Sequence, residues 1–199
     1  MDTVQFPRGS TWLTRNRFKN DQGTLWISVP VWKKGLGLQR ICDVRICHER
    51  PWARKCLESL KTAYKWAPYF EDHLSFLEGV FSEPLERLID LNVKIIRYLM
   101  DHLAVSARLV LLSELGLETR EPMLSAAVSK MLGASDFLAQ TGAKKYLDRQ
   151  LFDDAGINLK FFNPRPPVYP QLWGDFIPNL SAFDLLFNCG HRSHYILGV

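Results

Sequence analysis

At 199 residues, with 47% hydrophobic and 23% charged side chains, the chain is long enough to bury a core unaided and has the balance of a globular protein. Its net charge of +4 admits anionic partners such as phosphorylated substrates without demanding nucleic acid. No run approaches the ~18 uncharged apolar residues of a membrane span. The opening MDTVQFPRGS lacks the layout of a signal peptide, so the expected location is the cytoplasm.

Residues 1–48 read as a β-rich region. A brief strand at 4–6 runs into a turn at 7–10. Between 12 and 19 an extended chain puts Arg15, Arg17 and Lys19 on one face and Trp12, Thr14, Asn16 and Phe18 on the other. Residues 24–31 form a further strand, which Pro30 confines to an edge or an end. After a glycine-containing loop at 33–38, residues 40–47 return as a strand. Cys42 and Cys47 lie an odd number of positions apart, so on one strand they face opposite sides and cannot pair there. All four cysteines are expected to be reduced and mostly buried.

Residues 49–105 read as helical. Pro51 opens a helix whose stripe is Trp52, Cys56, Leu60 and Ala63. Pro68 opens a second, with Phe70, Leu74, Leu77 and Phe81 aligned. Ser82 is placed to cap a third, whose wide apolar face runs from Leu85 to Leu103. Asn92 sits near the middle of that face. A buried amide left unpaired costs about 1–3 kcal/mol, so Asn92 either bonds a neighbouring element or faces a substrate. His73 and His102 are expected on helix surfaces.

Residues 106–199 read as an α/β region. A β-like run at 107–112 precedes a helix at 122–132. Residues 136–162 then form a strand–turn–helix–strand unit, which implies two parallel strands joined by a crossover. Thr141 is expected to cap the helix, on which Tyr146, Leu147, Leu151 and Ala155 recur at helical spacing, and Gly156 to end it. Ligands in such sheets gather at strand carboxyl ends, here around Gln140, Thr141 and Gly142. A proline-rich loop carries Tyr169 and Gln171, and Ser181 caps a final helix. There, Asp184 stands among Leu185, Leu186 and Phe187. It is either a first-turn carboxylate favoured by the helix dipole or a functional group. Cys189, His191 and His194 lack the second Cys/His pair that zinc requires, so no metal is expected. The expected fold is α/β: a mixed sheet with a β-rich N-terminal third and a C-terminal β-α-β layer of parallel strands, in a single domain over 1–199. Whether the N-terminal strands extend that sheet or form a subdomain is left open.

The segments DTVQFPRGSTWLTRNRFK, TLWISVPV, PWARKCLESLKTAY, YLDRQLF and PVYPQLWGDFIPNLSAFDLLFNCG resemble, in that order and at similar spacing, the WbqC-like proteins. The resemblance covers nearly the whole chain. It implies a bacterial protein tied to O-antigen and other surface polysaccharides, and a transferase moving an aminoacyl (glycyl) or acyl group onto an amino sugar carried on a nucleotide or lipid. The alternative is a non-catalytic sugar-nucleotide-binding or assembly protein of a polysaccharide locus. Candidate roles on this chain are Asp184, Tyr146 and Asn92 for catalysis. Arg15, Asn16, Arg17, Gln140, Thr141, Gly142, Tyr169 and Gln171 are candidates for substrate binding. A small-molecule substrate is expected, with no cofactor, no nucleic acid and no membrane span. Family members also begin with a strand and a His-Gln-Pro motif ahead of the stretch matching residues 2–6, so the expectation is an incomplete fold, prone to self-association through unpaired edges.

Overall fold

The computed structural model describes residues 1–9 and 11–198, and its first regular element is a hairpin. Strands β1 (Arg15–Asn20) and β2 (Gly23–Ser28) pair antiparallel, with Phe18 opposite Leu25 and Lys19 opposite Thr24. The chain reverses over Asp21 and Gln22, and Gly23 at φ +107° supplies a conformation that other residues rarely adopt. Helices α1 (Trp52–Tyr64), α2 (Phe70–Ser82) and α3 (Leu88–His102) follow. The buried positions of α1 are Cys56, Leu60, Ala63 and Tyr64, the spacing of an amphipathic helix.

Two compact units result. The smaller is Val110–Arg165 together with Met1; the larger is Asp2–Leu109 with the chain from Pro166 onward. In the smaller unit lie α4 (Leu124–Met131), β3 (Asp136–Gln140), α5 (Arg149–Asp154) and β4 (Asn158–Phe162). Strands β3 and β4 pair parallel, Asp136 opposite Asn158 and Gln140 opposite Phe162, so the predicted β-α-β unit is present. Its core is small: Ala126, Ala139, Phe152, Ile157 and Leu159.

The larger unit is completed by α6 (Ala182–Cys189) and α7 (Ser193–Leu197). Ser181 caps α6, its Oγ accepting from the Phe183 amide, and α6 is buried almost throughout. Phe183, Leu186 and Phe187 join Phe18, Leu60, Tyr64 and Phe70 in an aromatic-rich core. A second cluster gathers Phe6, Ile41, Val44, Ile46, Val80, Leu88 and Leu91. Gly190 is required where it stands: a Cβ there would lie 2.5 Å from the Tyr69 ring. The protein is thus mixed α/β, and its described residues form two two-stranded sheets, one antiparallel and one parallel. Among the described residues no helix is long and apolar enough to cross a membrane.

Several local expectations are corrected. Residues 40–47 form no strand. Ile41–Asp43 is a 3-10 turn tied by the Arg40–Asp43 ion pair, followed by isolated bridges from Arg45 to Arg87 and from Val31 to Ile46. Ser82 ends α2 instead of capping α3, its Oγ donating to the Gly79 carbonyl. Pro84 holds Glu83 extended, which delays the next helix to Leu88. The apolar run at 107–112 is irregular and leads into a 3-10 turn at Leu112–Leu115; a short apolar run has no period that separates strand from other structure. Thr141 opens a 3-10 turn, and its hydroxyl donates to the Phe162 carbonyl at 3.0 Å, fastening the end of β3 to that of β4. The true cap of α5 is Asp148, which accepts from the Gln150 amide at 3.0 Å. His73 is buried, inside the aromatic core. Helix α7 was not anticipated. Within the expected 7–10 turn, Ser10 lies outside the described residues.

Candidate functional site

Tyr64 ends the buried stripe of α1, one turn beyond Leu60, so its phenol is carried into the core, where a hydroxyl must find partners. It finds two. The Lys19 amide of β1 donates to the Tyr64 oxygen at 2.8 Å, and the Tyr64 hydroxyl donates to Asp184 Oδ1 at 2.5 Å. Asp184 is on the first turn of α6 and is only 1% exposed. Its second oxygen accepts from the Tyr169 hydroxyl at 2.7 Å.

Lys19 is likewise buried, 2% exposed. Its ammonium donates to the Asp175 carbonyl at 2.6 Å and to Gln171 Oε1 at 3.2 Å. Gln171 in turn closes the loop on itself: its Oε1 accepts from the Ile177 amide and its Nε2 donates to the Ile177 carbonyl. Arg17, two residues from Lys19 on β1, donates to the carbonyls of Pro178 and Asn179. Trp173 donates from its indole nitrogen to the Ala63 carbonyl of α1 at 2.9 Å. The loop from Tyr169 to Ser181 is therefore fastened to both the hairpin and α1.

Burial pushes the Asp184 carboxyl up, and donation from Tyr64 and Tyr169 together with the Lys19 charge works against that shift. Burial, then the adjacent Asp184 charge, drives both tyrosines far above their ordinary range. Both phenols thus stay protonated and serve as donors. The arrangement is a carboxylate of raised basicity with a protonated phenol on each oxygen and a lysine charge in the same network. Such a group is suited to taking up a proton.

Among the residues singled out from sequence, the fold brings Asp184, Tyr169 and Gln171 into one network and bonds Arg17 of β1 to the loop that covers it. Arg15 instead stacks over the Trp26 ring at 4.3 Å, and Asn16 is exposed, accepting from the Arg17 amide. Asn92 is half-buried and donates to the Leu13 carbonyl at 3.1 Å, bonding to a neighbouring segment. Gln140, Thr141 and Gly142 are exposed in the smaller unit. Tyr146 is there too, on an open cavity of about 420 Å³ with Glu121, Pro122 and Asp148. The network residues that were missed are Tyr64 and, as a buried group, Lys19. A phenol on an otherwise apolar stripe was the available signal for Tyr64. For Lys19 there was none, because its basic neighbours Arg15 and Arg17 suggested a solvated face.

All four cysteines are free, with Cys56 and Cys189 buried and their thiols pushed up by burial. Among the described residues no group of three or more His, Cys, Asp or Glu is arranged to hold a metal ion.

The model of the WbqC-like protein family matches residues 1–196. A protein of Mycobacterium tuberculosis (strain ATCC 25618 / H37Rv) described as "Uncharacterized protein Rv1507c" is 30% identical over 191 residues, covering 95% of this chain and 82% of the relative. No solved structure matches the chain.

Proposed function

The chain belongs to the WbqC-like protein family, and on that premise we propose that it is a transferase moving an acyl or aminoacyl (glycyl) group onto a nucleotide- or lipid-linked amino sugar in bacterial surface polysaccharide (O-antigen) synthesis, with Asp184 as its base. The observation that carries this reading is the burial of Asp184 with a protonated tyrosine on each oxygen. Holding a carboxylate in the interior costs several kcal/mol before its partners offset it, an arrangement more readily explained by chemistry than by packing. Tyr169 is half-buried, whereas Asp184 and Tyr64 are fully buried. As the acceptor amine attacks the donor carbonyl and the donor's leaving group departs, the amine proton passes to the Tyr169 oxygen while the Tyr169 proton moves to Asp184. Lys19 favours the ionised, proton-accepting form of Asp184 beforehand. Arg15 and Asn16 serve the carrier phosphates, while Arg17 and Gln171 hold the covering loop. Gln140, Thr141, Gly142 and Tyr146 belong to the smaller unit and remain candidates for substrate binding there, and Asn92 is assigned a structural role.

One observation favours the non-catalytic alternative: both Asp184 oxygens are already satisfied within the protein. The test separates the two. Purified protein is incubated with nucleotide-linked amino sugars and activated acyl or aminoacyl donors, and products are read by mass spectrometry. Transfer that is lost in Asp184→Asn with the fold retained supports the transferase. Nucleotide-sugar binding without transfer supports the alternative, and neither binding nor transfer overturns both.

A further inference from the structure

Three members of the buried network have chain neighbours in the wall of one cavity. Asn20 follows Lys19, Ala63 precedes Tyr64, and Trp173 lies two residues beyond Gln171; all three line an opening of about 510 Å³. The cavity lies between the hairpin turn and the C-terminal end of α1. Its wall carries two tryptophans, Trp66 and Trp173, with Asp21, Glu58 and Thr62.

The tryptophans differ in how they are held. Trp66 is 69% exposed, with the Lys65 ammonium 5.1 Å from its ring centroid. A lone exposed tryptophan is ordinary, but one sharing a cavity with a second is a platform. Trp173 sits at φ +61°, in the left-handed region that a bulky residue adopts only when its surroundings compel it. Its indole nitrogen is anchored on the Ala63 carbonyl, which leaves the ring fixed in the cavity wall before any ligand arrives. Strain at a pre-positioned aromatic is the kind of feature found at ligand clamps.

We propose that this cavity binds the pyranose ring of an amino sugar, its C–H face stacked on Trp66 and Trp173 and its amine directed to Asp21 and Glu58. The inference goes beyond the transferase reading: Tyr169 is not among the residues lining this cavity, so an amine held by Asp21 and Glu58 is not the one placed at the Tyr169 oxygen. The binding site itself stands on the cavity. Aromatic faces carry partial negative charge and attract the slightly positive C–H hydrogens of a sugar ring. The hydroxyls around that ring match the polar rim, in the usual division of a small-molecule site into apolar walls and a few placed polar groups. Charge selects within ring-shaped ligands. Asp21 and Glu58 against Lys65 leave the rim acidic, which favours an ammonium group and opposes the phosphates of a nucleotide.

The experiment is a titration of the full chain with glucosamine, glucose and uridine monophosphate, followed by tryptophan fluorescence and ligand-observed NMR. Glucosamine is expected to bind saturably, more tightly than glucose, with uridine monophosphate failing to compete. Trp66→Ala should weaken glucosamine by about tenfold or more at unchanged melting temperature. Trp12→Ala, an equally prominent exposed tryptophan outside the cavity, should leave binding as it was. The double variant Asp21→Asn, Glu58→Gln should bring glucosamine down to the level of glucose. Absence of saturable sugar binding, indifference to Trp66→Ala, or preference for the nucleotide each overturns the inference. Sugar binding of this pattern in a protein that transfers nothing sustains the inference and removes only the transferase reading.

Discussion

Asp184 and His73 are two buried titratable side chains at the same aromatic core, His73 against Phe187 and Asp184 bonded to Tyr64, which packs on Phe187, and the fold treats them in opposite ways. Asp184 is supplied with donors on both oxygens, with a lysine charge in the same network and a polar loop over it. His73 is given one bond, Nδ1 to the Tyr98 hydroxyl at 2.7 Å, and is otherwise walled by rings, with His102 at 5.2 Å and Phe187 at 5.7 Å between centroids. Burial and the neighbouring His102 push its pKa down to about 4, so it is held neutral. The histidine is packed as an aromatic residue. The aspartate is maintained as a polar group at the expense of a lysine, two tyrosines and a loop. That contrast is why the functional reading rests on Asp184.

The largest expected effect comes from removing the centre of the favoured region. Asp184→Ala strips the buried Tyr64 and the half-buried Tyr169 of their acceptor and should destabilise the protein by about 3 kcal/mol or more in chemical denaturation. Asp184→Asn, which keeps the volume, should lose far less. A similar loss for both variants would mean that charge, not partnering, governs the site.

Acid comes next, and it probes the other region. Because the folded pKa of His73, about 4, lies below its ordinary 6.5, the unfolded chain binds a proton first as pH falls. Stability from this group is therefore full above 6.5 and declines towards 4, by up to about 3 kcal/mol. Asp184 acts with the opposite sign: its raised carboxyl destabilises the fold as pH rises through that raised value, so acid relieves it. Melting curves from pH 7 to about 4 should accordingly flatten in His73→Phe and steepen in Asp184→Asn. Unchanged slopes in both would erase the comparison.

Tyr169→Phe removes one donor to a buried carboxylate and should cost about 1–2 kcal/mol in denaturation while abolishing transfer. Loss of stability with full activity would exclude Tyr169 from the proton path. Smallest of all, Trp66→Ala should change stability by less than about 0.5 kcal/mol, because the residue is exposed, and its effect should appear only in sugar binding.

Much of this protein follows from local pattern. The α1 stripe, the Ser181 cap and the parallel pairing across 136–162 come from residues close in sequence, where periodicity and turn chemistry act, and the family from motifs read in order along the chain. Asp184 was marked by sequence as well, a carboxylate followed by Leu185, Leu186 and Phe187. Other features needed the folded chain. The Lys19 ammonium finds Gln171 and the Asp175 carbonyl 152 and 156 residues away, and Tyr64 finds Asp184 after 120. Nothing near Lys19 in sequence distinguishes it from Arg15, which lies on Trp26. His73 likewise looked like a surface residue because its neighbours Glu71 and Asp72 are exposed, while the rings that enclose it come from α3 and α6. Helical and strand periods are set by backbone geometry within a few residues. The solvation of a single charged or polar side chain is set by whichever distant segment packs against it, and only the tertiary structure decides that.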